Sequence, residues 1–299
     1  MRIDPNTTPN ILADMQQSQV SLNTALQQVS TGLSVNNPSD NPTAAAEMVQ
    51  NSIESADVDQ FTQNVSSALS TVQTASSVLS SVVTSLTSAV SAGTEGANGT
   101  NSTSDLQSLA AQVQGILTSV VNSANTSVSG SFLFGGTSTT TPFTADASSP
   151  TGFTYNGNND SNSVAVGDQA SVQVNLPGSQ IFSSSGNNVI GALSSLVTAL
   201  QSGNTANIAS STAAVSSAVS FVGQQQVFYG NAETQLNSQE TFLQQDTVSL
   251  TTQATNLIGV NEATAATNLT QAETDNSAAL AAIAKVLPNS LLNFLSPPE

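Results

Sequence analysis

The stretch LNTALQQVSTGLSVNNPSDNPTAAAEMV, residues 22–49, runs from the end of one predicted helix through a turn into a second helix. Upstream of the turn, apolar residues recur at alternating spacings of three and four, which is the pattern of a coiled-coil seam. Gly32 ends the seam, and Asn41 and Pro42 supply a polar cap and a first-turn proline for the next helix. The predicted seam consists of Leu12, Met15, Leu22, Leu26, Val29 and Leu33, with Gln19 as a polar interruption.

A second seam, from Val58 to Ala89, keeps the same alternation without a break and predicts a very long helix. The segment 93–104 is rich in Gly, Asn, Ser and Thr, which predicts a loop. Ser104 is then expected to cap a third helix that ends near Ser127. These two helices would form a hairpin whose remaining apolar face needs a partner.

The C-terminal half supplies such partners. Apolar residues at every seventh position from Val215 to Leu257 predict another very long helix, and Gly203 separates it from a shorter helix at 189–200. Gly259 marks the start of the link to a final helix. The predicted seam of that final helix consists of Ala265, Leu269, Ala272, Ala279, Ile283 and Val286, interrupted by Asn276.

The segment between the two halves, residues 130–186, differs in character. It is dense in Gly, Pro, Thr and Asn, and its alternating runs at 163–166 and 171–176 predict short strands. Half of the aromatic residues of the chain lie in this segment, where core packing is the expected role. The predicted fold class is therefore mainly α with a β insertion: a long antiparallel helical bundle or coiled coil formed by the N- and C-terminal halves, plus a small β domain.

Turns and glycines divide the chain into three predicted parts. Residues 1–40 and 262–299 form a terminal coiled-coil layer. Residues 41–129 and 187–261 form a central bundle of long helices. Residues 130–186 form a β-rich insertion that faces outward. Helices at chain ends tend to fray, so full burial of the terminal seams is expected to require neighbouring subunits.

Composition excludes several classes of function. Two basic residues stand against nineteen acidic ones, for a net charge of −17, which argues against binding to nucleic acid or to an anionic membrane surface. The chain lacks His and Cys, so a Ser-His-Asp or Cys-His catalytic site, a disulfide framework and a His- or Cys-ligated zinc are impossible. Carboxylates such as Asp40, Asp57, Asp59 and Asp160 are expected to be solvated surface groups. We therefore expect no enzyme activity, no cofactor and no metal.

The N-terminus has no apolar segment of the kind found in a cleaved secretory signal, and we expect no membrane insertion because no apolar run approaches the length of a bilayer span.

Four motifs in order resemble the family of flagellar hook-associated protein 3, the hook–filament junction proteins, and more distantly flagellin. The first is the turn that contains Gly32, Pro38, Ser39, Asp40 and Pro42. The second is the long helix with the seam from Val58 to Ala89. The third is the β insertion, with SGSFLFGGTSTTTPF at 129–143, Tyr155-Asn156-Gly157 and VNLPGSQIF at 174–182, and the fourth is LPNSLLNFL at 287–295. The chain departs from the family at Leu33, where relatives often carry Arg or Lys.

The resemblance implies a structural subunit at the junction between hook and filament. Its implied partners are hook-associated protein 1, flagellin, other copies in a ring and a cytosolic export chaperone. It also implies export by the flagellar type III route without a cleaved signal, and a place in the extracellular flagellum. The terminal seams would be the assembly interface. The alternative of the same class is flagellin or a flagellin-like filament subunit; a secreted carbohydrate-active enzyme and a pilus- or adhesin-like binder are the alternatives of other classes.

Overall fold

A computed structural model describes the backbone of residues 7–295 and the side chains of residue 10 and residues 12–285. Helices dominate this part of the chain, as the apolar seams predict, and the predicted fold class is confirmed. The helices are α1 (Thr7–Thr31), α2 (Pro42–Gly96), α3 (Thr103–Ala124), α4 (Gly178–Ile181), α5 (Val189–Ser202), α6 (Thr205–Ile258) and α7 (Glu262–Leu295).

Six short strands lie between α3 and α4 and pair as three separate antiparallel hairpins. The predicted runs at 163–166 and 171–176 contain one of these pairs, in which Val164 lies opposite Val172. The strands are β1 (Ser127–Val128) with β2 (Ser131–Phe132), β3 (Phe143–Ala145) with β4 (Phe153–Tyr155), and β5 (Ser163–Ala165) with β6 (Ser171–Gln173).

The predicted start of α3 was wrong by two residues. Ser102, not Ser104, caps this helix: its Oγ accepts from the Asp105 N–H (3.3 Å), and the Asp105 carboxylate accepts from the Ser102 N–H (3.0 Å). This reciprocal capping box satisfies two backbone donors, which a cap at Ser104 would leave unpaired. The ends of α2 and α3 also differ from the predicted ones. The α2 helix continues through Gly93 to Gly96, and α3 ends at Ala124 and not near Ser127.

The chain folds as two compact units. The terminal unit comprises the described residues of Met1–Asp57 and Gln245–Glu299, and the central unit is Val58–Gln244. Both boundaries fall inside the continuous helices α2 and α6, and not at the predicted positions 40 and 262. The ends of these helices belong to the terminal unit, where the buried Asn51 Nδ2 donates to the Leu250 carbonyl (3.1 Å). The division into three functional parts stays a prediction.

The core of the central unit follows the predicted seams of α2 and α6. Side-chain hydrogen bonds place the two helices side by side: Gln73 donates to Glu233 (2.9 Å), and Gln226 donates to the Ser76 carbonyl (3.4 Å). Burial recurs at the predicted heptad positions of both helices. The buried residues include Val65, Val72, Leu79, Val82 and Leu86 on α2 and Val215, Val222, Tyr229, Leu236 and Leu243 on α6.

The β-rich segment packs around aromatic side chains, as expected. Phe134 and Phe143 each meet the buried ring of Phe182 edge to face, with ring centroids 5.3 and 5.8 Å apart. Side chains of the long helices also bond to the backbone of this segment. Gln239 Nε2 donates to the Val166 carbonyl (2.9 Å), for example.

Among the described residues, α2 alone is long and apolar enough to cross a bilayer by length and composition, so the expectation of no such run was wrong. Its seam residues Val72, Leu79 and Leu86 are fully buried in the helical core. Core packing therefore accounts for the apolar character of this helix.

Candidate assembly interface

The two terminal helices, α1 and α7, pack along each other within the terminal unit. One face of each helix is turned to its partner, because the least exposed positions recur at spacings of three and four. On α1 these positions are Met15, Ser18, Leu22, Ala25 and Gln28. On α7 they are Ala265, Leu269, Ala272, Asn276, Ala279 and Ile283.

The predicted seam of α1 divides between two faces of the helix. Met15 and Leu22 are half-buried on the side of α7, whereas Leu12 (53% exposed), Leu26 (45%) and Val29 (45%) are exposed. The contact face uses Ala25 and Gln28, one residue before Leu26 and Val29, so the larger side chains lie beside the contact and not in it. Leu33 is half-buried beyond the end of the helix.

The predicted seam of α7 coincides with its contact face. Ala272 is buried, and Leu269, Ala279 and Ile283 are half-buried against α1. The side chain of Val286 lies outside the described residues. Polar positions behave differently in the two helices, because Asn276 lies in the contact face, whereas Gln19 is exposed and the inward polar residue of α1 is Ser18.

Exposed large apolar side chains concentrate in the terminal unit. Ten such side chains occur among the described residues, and only Val227 and Phe242 belong to the central unit. Monomeric proteins rarely leave many large apolar groups of one region in water, and such surfaces often mark protein contacts. The eight in the terminal unit are Leu12, Val20, Leu26, Val29, Val49, Ile53, Val248 and Leu280.

The predicted turn motif connects α1 to α2 and is bonded to the link before α7. Gly32 takes a left-handed conformation (φ 70°), and Leu33 forms an antiparallel bridge with Gly259. Ser34 donates to the Ile258 carbonyl from both its N–H (2.6 Å) and its Oγ (3.0 Å). The motif therefore ties together two segments that lie far apart in the sequence.

The second half of the motif is a self-contained cap. The Asp40 carboxylate accepts from the backbone N–H groups of Asn36 (3.1 Å) and Asn37 (2.8 Å), which closes the turn containing Pro38 and Ser39. Asn41 Oδ1 then accepts from the Ala44 N–H (3.2 Å), and Pro42 is the first residue of α2. The roles of Asp40 and Asn41 are structural, because both side chains accept from nearby backbone N–H groups.

Asp146, in the β-rich segment, also has a local structural role. Asp146 accepts from Ser148 and Thr154, and these hydrogen bonds hold the pKa of its carboxyl below the usual range. A cavity of 640 Å³ lies between α2 and this segment and is lined by hydroxyl, amide and apolar side chains without an ionisable group. It offers no acid–base pair for hydrolysis. No group of three His, Cys, Asp or Glu residues that could hold a metal occurs in the described part of the chain.

Sequence reasoning missed Ser18 and Ala25 on α1 and Asn51 on α2. The first two are small residues on a face beside larger apolar ones, and Asn51 is a polar residue at the heptad position that precedes Val58. Extending the α2 seam backward by seven residues would have placed Asn51 in the core.

Comparison with known proteins supports the sequence-based resemblance. Residues 6–139 match the bacterial flagellin N-terminal helical region. No curated protein sequence gives a significant match. Among solved structures, a provisionally assigned flagellar hook-associated protein from Vibrio parahaemolyticus has a TM-score of 0.68 at 21% identity, with 74% of this chain and 100% of that chain covered.

Two further structures come from Legionella pneumophila. Flagellar hook-associated protein 3 has a TM-score of 0.63 at 15% identity and covers 71% of this chain and 98% of its own. The flagellar junction protein FlgL has a TM-score of 0.59 at 14% identity and covers 71% of this chain and 100% of its own. Residues 6–139 thus match the bacterial flagellin N-terminal helical region, and the chain has the fold of the flagellar hook-associated proteins, which confirms the predicted resemblance.

Proposed function

We propose that the chain is a structural subunit of the bacterial flagellum and forms the junction between the hook and the flagellin filament. The observation that carries this proposal is the concentration of exposed apolar side chains on the terminal unit. Full burial of one such side chain is worth about 1.5–3 kcal/mol, so covering several of them against neighbours would favour assembly strongly. We infer the kind of assembly from the shared fold, because a protein of the same fold is a flagellar junction protein.

In this proposal the terminal seams contact several different neighbours. Hook-associated protein 1 lies on the hook side, flagellin lies on the filament side, and other copies of the chain complete a ring. Residues 1–40 and 262–299 form the inner layer of that ring, and the β-rich segment faces outward. A cytosolic chaperone protects the apolar surface before export by the flagellar type III route, which leaves the protein outside the cell without a cleaved signal.

A deletion strain tests the junction role. Cells without the protein should build hooks but release flagellin into the medium without forming filaments. Normal filaments in such a strain would contradict the proposal.

Complementation of that strain tests the apolar surface. The Leu12→Ser/Leu26→Ser variant removes two exposed side chains from α1, and Val227→Ser removes one of similar exposure (60%) from the central unit. The α1 variant should fail to restore filaments although the purified protein keeps its helical content, and Val227→Ser should restore them. Equal restoration by both variants would show that the α1 surface is not an interface.

The flagellin alternative predicts a different behaviour in solution. A junction subunit must bind unlike neighbours, so its specificity depends on a difference of affinities and not on strong self-association. We expect the purified chain to remain monomeric under conditions in which flagellin extends filament seeds. Long filaments made of this chain alone would support the filament-subunit alternative.

A further inference from the structure

Two buried oxygens in the contact between α1 and α7 have no hydrogen-bond partner among the described residues: Ser18 Oγ and Asn276 Oδ1. Each lies in the contact face of its helix, Ser18 between Met15 and Leu22 and Asn276 between Ala272 and Ala279. A buried polar atom without a partner costs desolvation free energy, so folded proteins contain few of them. Because each terminal helix carries one such cost, we expect Ser18 and Asn276 to have a role other than stabilising the helix pair.

The two residues lie at the same level of the helix pair. Ser18 is 13 residues before Thr31, where α1 ends, and Asn276 is 14 residues after Glu262, where α7 begins. The end of α1 and the start of α7 lie at a common base, because the links beside them are joined by the bridge between Leu33 and Gly259. A difference of one residue corresponds to about 1.5 Å along a helix axis. The polar groups therefore form one layer across the pair.

The apolar residues of the contact face do not distinguish one level from another; Gln28, near the base, is the other polar residue of this face. On α7, alanine recurs every seven residues at 265, 272 and 279, and the other heptad position holds Leu269, Asn276 and Ile283. A slide of α7 by one heptad would thus place alanine on alanine and one large residue on another, except at Asn276. On α1, Met15 and Leu22 are both large apolar residues, whereas a shift by one heptad exchanges Ser18 for Ala25.

We propose that Ser18 and Asn276 are specificity-determining residues that fix the level at which α1 meets α7. At the native level the two polar groups share one layer of the contact, although Ser18 Oγ and Asn276 Oδ1 do not hydrogen-bond to each other. A shift by one heptad would place each polar group against an apolar side chain of the partner helix. Single buried polar residues set register in coiled coils for this reason, at a cost in stability. The bridge at the base joins the links beside the helices, whereas the polar layer acts within the helix pair itself.

Disulfide trapping in the full chain tests the proposal, because the chain contains no cysteine of its own. Leu22→Cys with Ala272→Cys reports the native level, since the two positions lie nine and ten residues from the base ends of their helices, Thr31 and Glu262. Leu22→Cys with Ala265→Cys, or with Ala279→Cys, reports a shift by one heptad in either direction. Disulfide-linked peptides are identified by mass spectrometry after mild oxidation, within and between chains.

With Ser18 and Asn276 present, the native reporter should dominate. In the Ser18→Ala/Asn276→Leu background, the shifted reporters should rise several-fold while helical content stays unchanged. Asn268→Leu is the matched control, because it adds the same side chain at an exposed position of α7 and should leave the crosslinks as they are. Exchange of the two residues, Ser18→Asn/Asn276→Ser, retains a polar layer and should restore the native pattern.

Two outcomes would overturn the proposal. If the folded Ser18→Ala/Asn276→Leu protein gave only the native crosslink, the base link would set the level alone. If the exchange variant gave shifted crosslinks to the same extent as the apolar variant, a polar layer as such would not determine the level. Circular dichroism of each variant shows that the helices are formed, and Ser18→Ala/Asn276→Ala provides a second apolar variant should the leucine disturb packing.

Discussion

Leu33 pairs with Gly259 in an antiparallel bridge, so the link that follows α1 is bonded to the link that precedes α7. The Val260 N–H donates to the Gly32 carbonyl (3.0 Å) and extends this contact. The end of α1 and the start of α7 are therefore joined at one bonded base. The geometry of this base depends on Gly32, whose left-handed backbone lets the chain turn immediately after α1.

Replacing Gly32 with Ala should destabilise the base through backbone conformation alone. A Cβ at this position meets no atom within 4 Å, so a steric clash does not contribute. The left-handed conformation costs a residue with a Cβ about 1–2 kcal/mol, and Asn tolerates it better than Ala. Hydrogen exchange of α1 amides should show faster opening in Gly32→Ala than in Gly32→Asn. Equal protection in both variants would mean that φ at this position is not the cause.

Replacing Leu79 or Leu243 with Ala should destabilise the central unit by about 2–5 kcal/mol each, because both side chains are buried at heptad positions of long helices. Urea unfolding followed by circular dichroism measures the change. Val227→Ala, on an exposed part of α6, is the control and should stay within about 0.5 kcal/mol of wild type. A loss below about 1 kcal/mol at both leucines would show that the seams do not form the core.

Gly93 and Gly115 should respond in opposite directions to the same substitution. Both lie in helices, where Ala is favoured over Gly by about 0.5–1 kcal/mol. A Cβ on Gly93 would clash with Thr212 Oγ1 and lie 3.2 Å from Leu196 Cδ1. Thr212 Oγ1 cannot turn away freely, because it donates to the Ile208 carbonyl (2.7 Å). Gly115 has open space around it.

Overpacking typically costs about 1–3 kcal/mol, which exceeds the gain in helix propensity. We therefore expect Gly93→Ala to lower the unfolding free energy and Gly115→Ala to raise it, both measured by urea unfolding. Stabilisation by Gly93→Ala would show that α5 and α6 can move away from α2 at little cost.

The heptad pattern of α6 predicted most of its core: of the seventh residues from Val215 to Leu257, all are buried except Leu257, which is half-buried. The pattern of α1 was not sufficient. Its apolar residues lie on two adjacent faces. Leu26 and Val29, the larger side chains, predict one face, but the face with Ala25 and Ser18 packs against the alanine-rich α7. The choice between the faces depends on the partner's shape, which a single-helix pattern does not contain.

The turn motif shows a second limit of local patterns. Its cap at Asn41 follows from residue type and spacing, and the predicted turn is present, whereas the hydrogen bonds that Asp40 accepts from Asn36 and Asn37 were not predicted. The bridge between Leu33 and Gly259 joins residues that lie far apart in the sequence, and it is formed by backbone atoms. The pattern of side chains therefore does not predict it.

The two tyrosines of the chain should ionise only at unusually high pH while the protein is folded. Burial raises the pKa of Tyr229 far above its usual range, and its hydroxyl accepts from the Leu176 N–H (3.2 Å). Burial also raises the pKa of Tyr155, whose hydroxyl donates to the carbonyls of Phe134 (3.1 Å) and Asn158 (2.9 Å). Tyrosinate absorbance should therefore stay low at pH 10 in the folded protein and appear at that pH in the urea-unfolded protein.

The same shift predicts how stability depends on pH. The folded state keeps the Tyr229 proton, so its contribution is fully present below the unfolded pKa of about 10 and is lost as pH rises above that value. The unfolding free energy should fall there by about 1.4 kcal/mol per pH unit from this residue. In Tyr229→Phe this part of the pH dependence should vanish, while stability at neutral pH drops by about 1–3 kcal/mol because the Leu176 N–H loses its acceptor. Tyr155→Phe is the control that retains the Tyr229 titration, and a tyrosinate signal from that folded variant near pH 10 would contradict the burial of Tyr229.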